Sequence, residues 1–300
     1  MVLRGKPDAL AFVVPKLTKD PNYQEQDRIL LIVWMTAQAS QVDLYAGLYS
    51  WAHYLLPIAG DKSGCRRKSM DLILQLVENI LSKPKALTTL VSGAVRKGQR
   101  LIPVSSFEIL MRLTFPAPST RTKATKRFEA IYPLLKQVAL LAPENSTGSK
   151  RMKEIFTFSL ELAEQEDSVL AEEATAIAIW ALTENADCFK LWDNLYTENL
   201  DASVDLLEKL ADEWKDHSIK LSSSPRDALT VSQTLQIFRQ KNAIAAITQG
   251  RANCSQHNEA DKYCKLILGM RREHLLDVAG ATYLLGGAVA AAIALVQSYQ

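Results

Sequence analysis

The sequence predicts an all-α protein: an irregular helical-repeat (α-solenoid-like) array followed by a C-terminal transmembrane helix. Apolar residues recur at helical spacing along most of the chain. No stretch sustains the apolar–polar alternation of a strand. Residues 278–296, VAGATYLLGGAVAAAIALV, make nineteen consecutive residues without a charge.

The periodicity is clearest in SMDLILQLVENIL, residues 69–81. Leu72, Leu76 and Ile80 form one row and Ile73, Val77 and Leu81 the next, while Asp71, Gln75 and Glu78 lie off the stripe. Ser69 is the expected N-cap. Upstream, QEQDRILLIVWMTAQAS and VDLYAGLYSWAHYLLPI read as apolar helices carrying Trp34 and Trp51. Downstream, SSFEILMRLTF opens with Ser105 and Glu108 at capping-box spacing. TKRFEAIYPLLKQVALLA is helical with a kink or break expected at Pro133. KRMKEIFTFSLELAEQ, LAEEATAIAIWALTEN, DCFKLWDNLY, LDASVDLLEKLADEWKDHS, ALTVSQTLQIFRQKNAIAAI and EADKYCKLILGM complete the helical series. Turns are expected at Pro7, Pro21, GDKSG, SKPK, FPAPST, APENSTGSK and LSSSPR. So many helices exceed one bundle core, so an open array of helix hairpins is preferred to a closed bundle. Residues 1–274 are assigned to a cytosolic array with a candidate hinge near 143–150, and residues 275–300 to an anchor and short tail.

A chain of 300 residues that is 48% hydrophobic and 23% charged can build a substantial core. The net charge is only +2 but is unevenly spread. From Lys62 to Arg127 fourteen Lys and Arg face three acids, a local net of +11. From Arg151 to His217 five Lys and Arg face seventeen acids, a local net of −12. This pattern reads either as solvated faces of one array or as a basic face turned to anionic lipid or an acidic partner.

The four cysteines, Cys65, Cys188, Cys254 and Cys264, follow no disulfide spacing, and a reducing compartment is expected. The N-terminus has no signal-peptide pattern. Cys254, His257 and Cys264 lack a fourth ligand for zinc, and a core cysteine with a loop histidine is the preferred reading. Cys65 precedes Arg66, Arg67 and Lys68, which would lower a thiol's pKa, but no paired base is identified. His53, on an apolar helix, reads as a packing histidine. GAVRKGQR carries Gln99–Arg100 where a phosphate loop needs Lys–Ser/Thr. The five tryptophans, at 34, 51, 180, 192 and 214, are read as core. RTKATKR, with Arg121, Lys123, Lys126 and Arg127, reads as a solvated helix start rather than a nucleic-acid site. No catalytic residue, metal site or cofactor is expected.

The tail decides placement. Nineteen helical residues span about 28 Å, close to the ~30 Å hydrocarbon thickness. Seven alanines and three glycines dilute the anchor residues Val278, Leu284, Leu285, Val289, Ile293, Leu295 and Val296, so the span is marginal. Lys262, Lys265, Arg271 and Arg272 flank it on the N-terminal side and no charge follows, which directs the bulk of the chain to the cytosol. Gly286 with Ala290, and Gly287 with Ala291, offer a small-residue face for helix pairing and hence homo-oligomers. The alternative is a soluble helical-repeat adaptor with the tail helix packed in its core.

Several strings together resemble one family: KSGCRRKSMDLILQLVENIL, GAVRKGQRLIP, FEILMRLTFPAPSTRTKATKRFEAIYPLLK, ENADCFKLWDNLYTENLDASVDLLEKLADEWKDHS and EADKYCKLILG. They are similar to the plant branch of the transmembrane protein 214 family, over about Val2 to Met270. The resemblance implies residence in the endoplasmic reticulum membrane through C-terminal hydrophobic segments. Animal members are linked to cell death under endoplasmic reticulum stress, where they anchor a caspase at the membrane. The resemblance transfers no catalytic residue. Members carry a long polar N-terminal region that this chain does not show, so it is expected to be an N-terminally truncated form. A non-enzymatic, membrane-anchored scaffold that recruits protein partners is the expected function. Asn145 and Asn253 head glycosylation sequons that this topology leaves bare.

Overall fold

The computed structural model describes residues 5–19, 25–61, 67–96, 98–141, 148–165, 168–248 and 255–271. It is helical throughout apart from one two-residue hairpin. The chain divides into two compact units: Met1–Arg151 with Gln165–Ala171, and Met152–Glu164 with Glu172–Gln300.

In unit 1 a 3₁₀ turn, Pro7–Ala9, leads into α1 (Leu10–Lys19). Then come α2 (Glu25–Ser40), α3 (Leu44–Ser50), a π-helical turn (Trp51–Leu55) and α4 (Leu56–Gly60). These are followed by α5 (Arg67–Leu81), α6 (Ala86–Ser92), β1 (Val95–Arg96), β2 (Gln99–Arg100), α7 (Val104–Thr114) and α8 (Lys123–Leu140). Asp43 starts α3, accepting from the backbone N–H groups of Tyr45 at 2.9 Å and Ala46 at 3.2 Å. The apolar stripe of α5 packs on α2 and α8, and α7 forms a hairpin with α8. Leu48, Trp51, Leu55, Phe107 and Phe128 are buried at its centre. Two of the buried polar groups here are paired: Trp51 Nε1–H donates to the Ile73 carbonyl at 3.0 Å, and the Ser106 hydroxyl to the Ala52 carbonyl at 2.7 Å.

Unit 2 contains most of α9 (Gly148–Ala163) and α10 (Ser168–Glu184). It continues through α11 (Asp187–Leu195), α12 (Leu200–Asp212), α13 (Trp214–Leu221), α14 (Pro225–Thr248) and α15 (255–271). Its core is aromatic. Trp192 meets Phe238 edge-on at 5.0 Å between ring centroids, and Tyr196 stacks on Phe238 at 4.0 Å. Trp192 Nε1–H donates to Ser203 Oγ at 2.9 Å, tying α11 to α12. Tyr196 donates to Asn242 Oδ1 at 3.0 Å, and His257 Nδ1 shares that oxygen at 2.9 Å. One amide thus joins the residue that caps α11 to α14 and α15. Ser224, Pro225 and Asp227 start α14 in a capping arrangement, with the Asp227 N–H donating to Ser224 Oγ at 3.1 Å.

Several local expectations are corrected. Ser69 is not an N-cap: α5 already begins by Arg67, and Ser69 is buried in its first turn. Ser105 and Glu108 form no capping box, because α7 starts at Val104 and Glu108 accepts instead from Arg112 at 3.0 Å. The reciprocal cap stands at α8, where Thr125 Oγ1 accepts from the Thr122 N–H at 3.0 Å. Pro133 does not break α8, whose buried Ile131, Tyr132 and Leu135 hold it across the lost hydrogen bond. Trp34 is 57% exposed rather than core, because Ile29, Ile32 and Met35 already fill the buried face of α2. Trp180 is half-buried, while Trp51, Trp192 and Trp214 are buried as expected.

The anchor residues 278–296, the helix-pairing residues Gly286, Gly287, Ala290 and Ala291, and Arg272 lie outside the described residues. So do Cys65, Cys254, both sequon asparagines and most of the expected hinge. Among the described residues no helix is long and apolar enough to cross a membrane.

Candidate functional site: a tyrosine-walled cleft

Unit 1 carries a cleft of about 380 Å³ at the junction of the Pro7–Ala9 turn, α1, α3, the π-helical turn and β2. Such a volume fits a small ligand. Tyr45, Tyr49 and Tyr54 wall it, Phe12 and Leu10 close one side, and Asp8 stands among its lining residues.

The sequence places these tyrosines together only because of the π-helix. Tyr45 and Tyr49 are four residues apart and share one face of α3. Tyr54 follows five residues later, which in a regular α-helix lies about 140° around the axis. The Leu56 N–H bonds to the Trp51 carbonyl, five residues back rather than four. That insertion turns Tyr54 onto the cleft side. Tyr49 and Tyr54 then meet at 6.4 Å between centroids with their rings 72° apart, a corner of two walls.

Each wall is held from behind. The Tyr45 hydroxyl donates to the Thr89 carbonyl at 2.5 Å. Gly93 is required there, because a Cβ on it would fall within the Tyr45 ring. The Tyr49 hydroxyl donates to Gln99 Oε1, a residue delivered by the β-hairpin. That hairpin turns on Gly98, whose φ of 76° suits glycine. GAVRKGQR therefore builds a turn that feeds the cleft, not a phosphate loop. His53 stacks on Tyr49 at 3.9 Å and bonds through Nε2 to the Arg100 carbonyl at 2.9 Å, so it is the packing histidine expected. Tyr54 reaches the Ala11 carbonyl at 3.5 Å.

Burial raises the pKa of Tyr49 and of Tyr54, the latter also through its Tyr49 neighbour, and lowers that of His53. The rings are therefore uncharged at neutral pH. Among the described residues no Lys or Arg lines the cleft, and Asp8 is the charged residue that does. Ser50, 1% exposed, is among the lining residues, and its hydroxyl makes no hydrogen bond.

The other expected chemistry falls into place around this. His257 is not on a loop but is 3% exposed in α15, and burial lowers its pKa. Cys264 is a buried core thiol pushed up to about 12, chiefly by burial. Among the described residues no group of His, Cys, Asp and Glu could hold a metal ion. The basic segment neutralises its own acids: Arg127 grips Glu78 at 2.7 and 2.8 Å and reaches Asp71 at 3.1 Å. Arg121 pairs with Glu129. Arg67, Lys68, Lys83, Lys85, Lys123 and Lys126 remain exposed. Of the flank cations, Lys265 pairs with Asp261 at 2.5 Å, and exposed Lys262 lies 5.0 Å from the Tyr263 ring centre. On unit 2, Asp205 is raised by burial and then by Glu208, Asp201 and Glu259, and Glu164 by burial and then by Asp201 and Glu161. That face is a concentrated negative surface.

Comparison with known proteins gives the family. The model described as "TMEM214, C-terminal, caspase 4 activator" matches residues 6–274. The chain belongs to the transmembrane protein 214 family. It is 25% identical to Transmembrane protein 214-B of Xenopus laevis over 275 residues, 89% of this chain and 36% of that protein. It is likewise 25% identical to human Transmembrane protein 214 over 242 residues, 80% of this chain and 32% of the relative. The chain thus spans about a third of the length of these relatives. No solved structure matches it significantly.

The sequence alone does not disclose the cleft. The tyrosines were visible in LYAGLYSWAHYLL, but the i, i+5 spacing conceals their common face unless the π-turn is known. The hairpin that supplies Gln99 is two residues per strand, too short for alternation to appear.

Proposed function

We propose that this protein is a non-enzymatic adaptor held at the endoplasmic reticulum membrane by residues 278–296, with its helical units in the cytosol as an irregular array. There it recruits protein partners of a cell-death response. The observation that carries the proposal is the family match across residues 6–274, in a family described as activating caspase 4 and with relatives named transmembrane proteins. The uncharged stretch begins four residues beyond that match. Two features support an adaptor. The exposed lysines of unit 1 suit the anionic cytosolic face of a membrane. The acidic face of α12 suits a basic protein surface, since like charges held together there gain from a cationic partner. The pairing face of Gly286, Gly287, Ala290 and Ala291 would bring two such adaptors together in the bilayer.

Proximity labelling from the N-terminus of the full chain in intact cells tests this. Labelled proteins should be cytosolic and reticulum-surface proteins, including a caspase under reticulum stress. Labelling confined to lumenal proteins, or spread evenly over soluble cytosol, would refute it.

A further inference from the structure

We infer that the tyrosine-walled cleft of unit 1 binds a small quaternary ammonium ion of the choline type, a trimethylammonium bearing an oxygen two carbons away. Three observations converge. Tyr49 and Tyr54 form a corner at 72°, and Tyr45 and Phe12 line the same space. Aromatic faces carry negative quadrupole charge and attract a desolvated cation, and a corner of rings contacts several methyl groups at once. Among the described residues the lining holds Asp8 and no Lys or Arg, although the segment from Lys62 to Arg127 is strongly basic. The described wall thus offers a cation aromatic faces and one carboxylate. Finally, Ser50 is 1% exposed and among the lining residues, and its hydroxyl has no hydrogen-bond partner. A helical serine commonly bonds to the preceding turn. Here it is left to serve a polar atom within the cleft, which a plain tetraalkylammonium lacks and choline supplies.

The geometry also explains the irregular helix. Only the i→i+5 turn at Trp51–Leu55 brings Tyr54 to face Tyr49, and such insertions concentrate at functional sites. The rings stay un-ionised because burial raises both phenols, so no tyrosinate is needed for cation binding.

The test is titration of the full chain, in a detergent without choline head groups, with choline, tetramethylammonium and 3,3-dimethyl-1-butanol, read by calorimetry and ligand-observed NMR. The last is the uncharged carbon isostere of choline. Choline is expected to saturate, with the isostere at least about tenfold weaker. Tyr54→Leu should weaken choline about tenfold and Tyr54→Phe should restore it. Ser50→Ala should reduce choline to the affinity of tetramethylammonium. Asp8→Asn, on the half-buried Pro7–Ala9 turn, should weaken both cations without altering the fold, so the inference stays testable if a tyrosine variant misfolds. Displacement of choline by phosphatidylcholine vesicles, but not by phosphatidylglycerol vesicles, would assign the group to a lipid head group; failure to displace would assign it to free choline. Equal binding of choline and the isostere, absence of saturation up to tens of millimolar, or indifference to both Tyr54→Leu and Asp8→Asn would overturn it.

Discussion

Lys85 holds a left-handed backbone, φ 59°, as the residue before α6, the one positive-φ non-glycine among the described residues. Its exposed side chain offers no burial to offset that conformation. Lys85→Gly should therefore stabilise unit 1 by about 0.5–1 kcal/mol, seen as a raised thermal midpoint. A fall would show that the lysine itself contributes there. Gly93→Ala should do the opposite, costing about 1–3 kcal/mol, because the new methyl competes with the Tyr45 ring. In unit 2, Asn242→Ala would leave the buried Tyr196 hydroxyl and His257 without their shared acceptor, at a cost of about 2–3 kcal/mol by denaturant unfolding. Single-residue roles were the least legible part of the sequence. Ser69 and Glu108 look like caps, yet one is buried in the helix and the other serves an arginine. Trp34 looks like core, yet its helix had more apolar residues than buried positions.

Helices were legible because an apolar stripe has a period, and α5 and α8 follow theirs closely. The π-turn was not, since it changes the period over five residues without a distinctive composition. His53 lies within that turn, so the element has a pH signature. Burial lowers the His53 pKa from 6.5 in the folded protein, and that of His257 likewise. The unfolded chain then binds more protons as pH falls below 6.5, so this contribution is present above that pH and is lost towards the folded value. Stability should therefore decline on acidification below about pH 6.5. His53→Gln should flatten that slope relative to the parent in urea unfolding at a series of pH values. An unchanged slope would mean that the histidine is not buried as described.

At the scale of the whole molecule, the charge asymmetry was readable from sequence and separates largely with the two units. What the sequence could not convey is that Asp71, Glu78 and Glu108 are committed to arginines, while Lys68, Lys83, Lys85, Lys123 and Lys126 stay exposed. The family was legible because long strings, rather than short motifs, carried it. The central claim is attachment to a bilayer by residues 278–296, and alkaline carbonate extraction of cell membranes tests it most directly. The full chain should stay in the membrane pellet, while a chain ending at residue 274 should be released. Release of the full chain would contradict the account and favour a soluble array with the tail helix in its core; retention of both would place the anchor elsewhere.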